Sequence, residues 1–202
     1  MELTCAYCKK NSCHKRDLEN APKNCPTTNN NFEELLKEYK IEENYKIANA
    51  SAKITMDNYG LKTRIIEIID FAKEMGYKKL GLAFCVGLAN EAYITTKILS
   101  EHGFDVESII CKVGSIDRKI IGITDCNVPM CNPIGQAKFL NEKNTDLNIL
   151  LGLCVGHDTL FFKYSEAPVT VFAVKDRVLA HNPLGAIYQA DSYYKKKLFD
   201  KK

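Results

Sequence analysis

Cys5, Cys8, Cys13 and Cys25 fall close to the amino end, spaced C-x2-C-x4-C-x11-C, and Pro26 follows the last. Residues 1–29 also carry Lys, Arg, Asn and Pro, and they are too polar and too few to bury a core. Thiolates gathered on such a stretch fold it around an ion, because metal–sulfur bonds replace the missing apolar contacts. The spacing lacks the paired C-x2-C units of a zinc ribbon, and no His pair completes a finger. Three close cysteines with a distant Cys-Pro suit iron–sulfur ligation, whereas a tetrahedral S4 set suits zinc equally. Cys5, Cys8, Cys13 and Cys25 are therefore the expected metal ligands, for an iron–sulfur cluster or zinc. His14 adjoins Cys13, and adjacent ligands are strained, so it is set aside.

Five more cysteines follow, at 85, 111, 126, 131 and 154. Two of them sit in a repeated phrase, Phe84-Cys85-Val86-Gly87 and Leu153-Cys154-Val155-Gly156. A second phrase also recurs: Cys131-Asn132-Pro133-Ile134-Gly135 and His181-Asn182-Pro183-Leu184-Gly185. Each Cys-Val-Gly turn ends an apolar run and precedes a helical pattern. Gly87 and Gly156 are expected to let the backbone turn and present N–H groups. A cysteine just before a helix N-terminus feels the positive end of the dipole, which favours thiolate, the form that binds metal and attacks electrophiles. Cys85, Gly87, Cys126, Cys131, Cys154, Gly156 and His181 are the expected cofactor-binding set at a second site. Cys154 as nucleophile with His157 as base is the expected catalytic pair, oriented by Asp158 or Asp176. Cys111 is the weakest member of the group, because a free cysteine in a strand often only fills the core.

The elements that must carry these residues are legible in the periodicity. Lys79–Phe84, Phe104–Cys111, Leu147–Leu153 and Pro168–Val174 are short apolar runs and predict strands. Between them lie helical patterns over about 88–102, ended by Gly103, and from Pro133, capped by Asn132. A further helix is expected over 157–165, and Asn182-Pro183 is expected to open the last one. Before the first strand, Asn30 is expected to cap a helix with Glu33 answering it. The pattern weakens around Glu42-Glu43-Asn44 and then resumes. Another helix is expected over about 61–75, stopped by Gly76. Strands alternating with helices give an α/β fold: a mainly parallel, Rossmann-like sheet of about four strands flanked by helices, with a small N-terminal Cys-rich metal module. The expected division is 1–29 for the module, 30–77 for a helical segment packed on the main domain, and 78–202 for the α/β domain.

The bulk properties narrow the function classes. A net charge of +3 over 202 residues, without a basic stripe, argues against nucleic acid. The Lys195-Lys196-Lys197 run reads as a solvated helix end. The start MELTCAYCKK has no apolar secretory core, and no apolar run reaches the roughly 18 residues needed to span a bilayer. A cytoplasmic protein without a membrane partner is expected. Nine cysteines in a reducing compartment favour metal or redox chemistry over disulfides.

Cys5-x2-Cys8, Cys25-Pro26, the Cys85-Val86-Gly87 turn, Gly152 to Asp158, and Val174-Lys175-Asp176-Arg177 through His181-Asn182-Pro183 resemble an uncharacterised prokaryotic family. That family is known as predicted metal-binding proteins with a domain of unknown function. The resemblance runs over nearly the whole chain and implies metal binding by the cysteines, without a reaction. Three readings follow. In the first, the chain is a metal protein with a second Cys-lined cleft for redox or sulfur chemistry, acting on a small-molecule ligand or an electron-transfer partner. In the second, it is a cysteine-dependent enzyme with a structural zinc module. The third is a Rossmann-like small-molecule binding protein, which the absence of G-x-G-x-x-G and Walker sequences disfavours.

Overall fold

The computed structural model describes residues 2–57 and 59–200, which divide into two compact units, 1–52 and 53–202. In chain order the helices and strands are α1 (Ser12–Lys15), α2 (Pro26–Asn29), α3 (Glu33–Glu38), α4 (Glu42–Asp57), α5 (Arg64–Glu74), β1 (Lys79–Phe84) and α6 (Ala89–Glu101), followed by β2 (Asp105–Ile110), α7 (Pro133–Glu142), β3 (Leu147–Leu153), α8 (His157–Tyr164), β4 (Val169–Val174), α9 (Leu184–Tyr188) and α10 (Lys195–Phe199).

The described residues form one four-stranded sheet in the order β2-β1-β3-β4, with every pair parallel. The expected α/β architecture and all four strands are present. All seven β3 residues are buried, as a central strand covered on both faces requires. Leu80, Leu82, Leu147, Ile149 and Leu151 point to one face, where Ile68, Ile69 and Ala72 of α5 and Ala92 and Leu99 of α6 meet them. Ala83, Leu150 and Leu153 point to the other, against Ala137 and Leu140 of α7 and Phe161 of α8. Burying a side chain such as Phe161, fully inaccessible here, contributes roughly 1.5–3 kcal/mol.

Asn148 stands inside β3, fully buried. Thr145 donates to its Oδ1 at 2.8 Å, and its Nδ2 donates to Ser165 at 2.8 Å. Gly81 on the neighbouring strand makes room for it, since a Cβ there would collide with Asn148 Oδ1. The amide thus occupies a polar site in an apolar layer without an unmet hydrogen bond.

Helix ends follow the local chemistry in most places. Gly76 adopts φ +74°, and the N–H groups of Gly76 and Tyr77 donate to the Lys73 and Ala72 carbonyls at 3.0 and 2.9 Å, closing α5. Asn132 caps α7 by accepting from the Gly135 N–H at 2.8 Å. Two expectations need correction. Asn30 does not cap α3: its amide turns back to the Pro26 carbonyl, Phe32 stands at the cap position without a side-chain bond, and Asn31 Oδ1 accepts the Glu33 N–H at 2.9 Å in a turn just before the helix. Asn182 does not repeat the Asn132 device: α9 begins after Pro183 without a side-chain cap, and α10 is the final helix.

Residues 2–29 are tied mainly by polar contacts. Among residues 2–29 only Ser12 is buried. Asn24 donates to the Thr4 hydroxyl at 2.7 Å, Asn29 to the Lys23 carbonyl at 2.7 Å, and Lys10 to the Asn20 carbonyl at 2.9 Å.

Candidate functional site

The sheet order creates a switch point between β1 and β3. The chain leaves β1 into α6 on one face and leaves β3 into α8 on the other. Adjacent strands whose connections part to opposite faces open a crevice beyond their carboxyl ends, where parallel sheets bind ligands. Cys85 follows β1 directly and Cys154 follows β3 directly. Cys111 follows β2, and Cys131 stands just before the cap of α7.

The backbone draws these positions together. The Cys111 N–H donates to the Phe84 carbonyl at 2.8 Å, and the Asn132 N–H to the Cys111 carbonyl at 2.7 Å. The α7 start is thereby fastened to the end of β2. Gln136, fully buried, donates to the Phe84 and Ile109 carbonyls at 3.2 and 2.8 Å and fixes the same helix across β1 and β2. Cys111 Sγ accepts the Val86 N–H at 3.3 Å and lies 3.9 Å from Cys131 Sγ. Burial pushes the Cys111 thiol up to about 11, and the neighbouring Cys131 and Cys85 sulfurs reinforce the rise, against the Val86 N–H.

Cys154 has a cationic partner. Arg177 Nη2 donates to its Sγ at 3.2 Å. This bond, then the Cys154 charge, holds the guanidinium above its ordinary value, with smaller contributions from Cys85 and Cys131. The loop after β4 sets the guanidinium's place. Asp176 Oδ1 accepts the Val178 and Leu179 N–H groups, both at 2.9 Å. His181 Nδ1 accepts the Asp176 N–H at 3.1 Å, which assigns its proton to Nε2. His181 thus braces the loop that carries Arg177. Lys175 Nζ reaches the same crevice: a Cβ on Gly87 would lie 3.9 Å from it, and one on Gly152 3.5 Å.

No side-chain hydrogen bond joins His157 to Cys154 among the described residues. The hydrogen-bond partner of Cys154 Sγ is Arg177, and His157 instead lines a cavity of about 270 Å³ with Cys131 and Arg118. Ile121, Ile123, Met130 and Leu160 supply its apolar walls. Burial lowers the His157 value first and Lys112 next; Asp158 opposes them, and Arg118 and Arg177 add to the fall. Gly156 takes φ +85° at the start of α8, whereas Gly87 lies in a short turn, Val86–Leu88, without a positive φ. Cys126 is not with the others: it lines a separate polar hollow with Asp117, Lys119 and Thr124.

The structure thus places Cys85, Cys131 and Cys154 from the expected set at the sheet edge together with Cys111, and adds Arg177 and Lys175. Cys111 was legible as the weakest member of the group. The cations were legible only as residues following the fourth strand, where a parallel sheet also presents its ligand edge.

At the amino end, Cys5, Cys8, Cys13 and Cys25 line one small cavity of about 130 Å³, beside Ser12 and Asn24. All four thiols are free. Hydrogen bonds from Thr27, backbone first, lower the Cys25 value and favour its thiolate; those from Thr28 add to them. Among the described residues, no group of three or more His, Cys, Asp or Glu side chains stands close enough together to hold an ion, here or at the sheet edge.

An uncharacterised protein of Methanocaldococcus jannaschii is 51% identical over 209 aligned residues, which cover 99% of this chain and all of that one. No solved structure matches the chain. A model of a protein family of unknown function, DUF1847, matches residues 23–172, the stretch that holds Cys25, three whole strands with the first four residues of β4, and all five later cysteines, and the chain belongs to that family.

Proposed function

We propose that this protein carries out thiol-based redox or sulfur chemistry on a small molecule at the carboxyl edge of its sheet, with a metal held by its N-terminal cysteines. The observation that carries the first half is the placing of Cys85, Cys111, Cys131 and Cys154 at the switch point of a parallel sheet, with Arg177 bonded to Cys154 and Cys111 lying 3.9 Å from Cys131. Thiolate chemistry needs a cation or a helix N-terminus beside the sulfur, and partial access. Arg177 and the starts of α7 and α8 supply the former, and half-buried Cys131 and Cys154 have the latter.

For the metal, the donor set fits. Cys5, Cys8, Cys13 and Cys25 surround one cavity, and four sulfurs suit zinc or an iron–sulfur cluster. Drawing them together costs little, since residues 2–29 bury almost nothing that would resist. The ion would supply the folding free energy that this stretch lacks. Free thiols throughout, with no helix among the described residues long and apolar enough to cross a membrane, accord with a cytoplasmic setting.

Metal analysis with an absorbance spectrum on protein purified without oxygen tests the metal. Brown protein with visible charge-transfer bands is the cluster, and colourless protein with stoichiometric zinc is the zinc site. Cys8→Ser or Cys25→Ser should lose the metal in either case. Protein carrying neither metal after purification without chelator would remove this half of the proposal. For the sheet edge, iodoacetamide should label Cys131 and Cys154 in the folded protein. If none of Cys85, Cys111, Cys131 and Cys154 reacted, the thiol chemistry would be ruled out.

A further inference from the structure

We infer that Cys111 and Cys131 are a dithiol couple that reduces a small organic disulfide seated in the apolar cavity beside Cys131. The inference rests on the reading of the sheet edge as a thiol site and gives it a substrate class and an order of events. The two sulfurs lie 3.9 Å apart on different segments, Cys111 just after β2 and Cys131 just before the cap of α7. They are unequal. Cys111 is 3% exposed, whereas Cys131 is half-buried and lines the cavity walled by Ile121, Ile123, Met130 and Leu160. A couple needs this asymmetry: one accessible sulfur to attack, and one sheltered sulfur to resolve.

At about 270 Å³ the cavity suits a small apolar body rather than a macromolecule. In the first step the Cys131 thiolate attacks one sulfur of R–S–S–R. That bond breaks, a Cys131–S–S–R bond forms, and RS⁻ leaves. In the second step the Cys111 thiolate attacks Cys131 Sγ. The mixed disulfide breaks, a Cys111–Cys131 bond forms, and the second RS⁻ leaves. The two protons lost by the cysteines equal the two taken up by the released thiolates. Two electrons pass from the protein dithiol to the substrate disulfide. Cys111 needs no access to the substrate, which accounts for its being both buried and in contact with Cys131.

The test treats the full chain with bis(2-hydroxyethyl) disulfide and maps the products by digestion and mass spectrometry. A Cys126→Ser background leaves Cys131 as the one thiol in its peptide region. The expected product is a Cys111–Cys131 crosslink with two mercaptoethanols released at this pair. Cys111→Ser, or Cys111→Ala should the serine variant fail to fold, stops at a stable mixed disulfide on Cys131 and releases one. Cys131→Ser leaves Cys111 reacting about tenfold or more slowly than Cys131 does in the parent. Circular dichroism confirms that each variant is folded. A lasting mixed disulfide on Cys131 beside a free Cys111 in the parent overturns the couple, as does a crosslink from Cys131 to Cys85 or Cys154. Either result leaves the broader thiol reading standing. If all four edge thiols stay unreactive, both fail.

Discussion

At the scale of single residues, Cys111 shows how burial converts a common side chain into a specialised one. Its thiol moves from an ordinary 9.0 up to about 11, chiefly through loss of solvent. Between those values the folded protein keeps a proton that the unfolded chain has released. The native value is the higher one, so the contribution of this group to stability is complete below about pH 9 and is lost as pH rises through about 11. The full loss is roughly 2–3 kcal/mol. Other groups titrate in the same range, and a difference measurement isolates this one. Urea unfolding of the parent and of Cys111→Ala, compared from pH 8 to pH 11, should show a stability difference that shrinks with rising pH. A difference flat across that range would mean that the thiol is solvated. His157 behaves in the opposite sense. Its value lies below the ordinary one, so its share of stability is present above about pH 6.5 and lost as the solution becomes more acidic.

At the scale of elements, β3 governs the site. It pairs regularly with β1, yet its register against β4 shifts between Leu150 and Leu153. Gly152 stands at that irregularity with φ +69°, and the strand changes phase there, so that Leu153 joins the face of Leu150 rather than that of Leu151. The bulge thereby re-aims the end of the strand, from which Cys154 follows. Alanine at Gly152 meets two obstacles: a left-handed backbone and a collision with Leu88 Cδ1. We expect Gly152→Ala to cost about 2–4 kcal/mol in denaturant unfolding, the sum of the backbone and overpacking costs. Gly156→Ala is the control: its φ is +85° but the space is open, and the cost should be about 1–2 kcal/mol. Equal effects of the two substitutions would show that packing against Leu88 does not fix the bulge. The strands themselves were legible because β1 and β3 are continuous apolar runs between turn residues, and the Asn132-Pro133 start of α7 because cap and φ preference agree. The strand order was not, since no local signal says that β3 adds beside β1 on the side away from β2. The order is what places Cys85 and Cys154 at one crevice. It also explains why Cys111 was read as the weakest candidate: buried in a strand run, it differs from a packing cysteine only through its neighbour Cys131, twenty residues away in sequence.

At the scale of the whole molecule, the two units are stabilised by different means. Both apolar clusters draw all their residues from Ile65 onward, and the ion pairs Lys62–Asp70 at 2.6 Å and Lys79–Asp105 at 3.8 Å also lie within the second unit. Residues 2–29 rely on amide and hydroxyl contacts, and by our proposal on a metal. A core of this extent is ample for a chain of roughly 150 residues to fold alone. A fragment spanning residues 53–202 should therefore unfold in one cooperative transition, with a urea midpoint close to that of the main transition of the full chain. It should also keep the Cys111–Cys131 reaction with the small disulfide, because each residue that shapes that pair belongs to the fragment. Chelator treatment of the full chain should likewise leave that main transition in place while altering the amide exchange of residues 2–29. A fragment that lacks near-ultraviolet circular dichroism and melts without cooperativity would show that the first unit contributes to the fold of the second. The chemistry of the sheet edge would then depend on residues of the first unit.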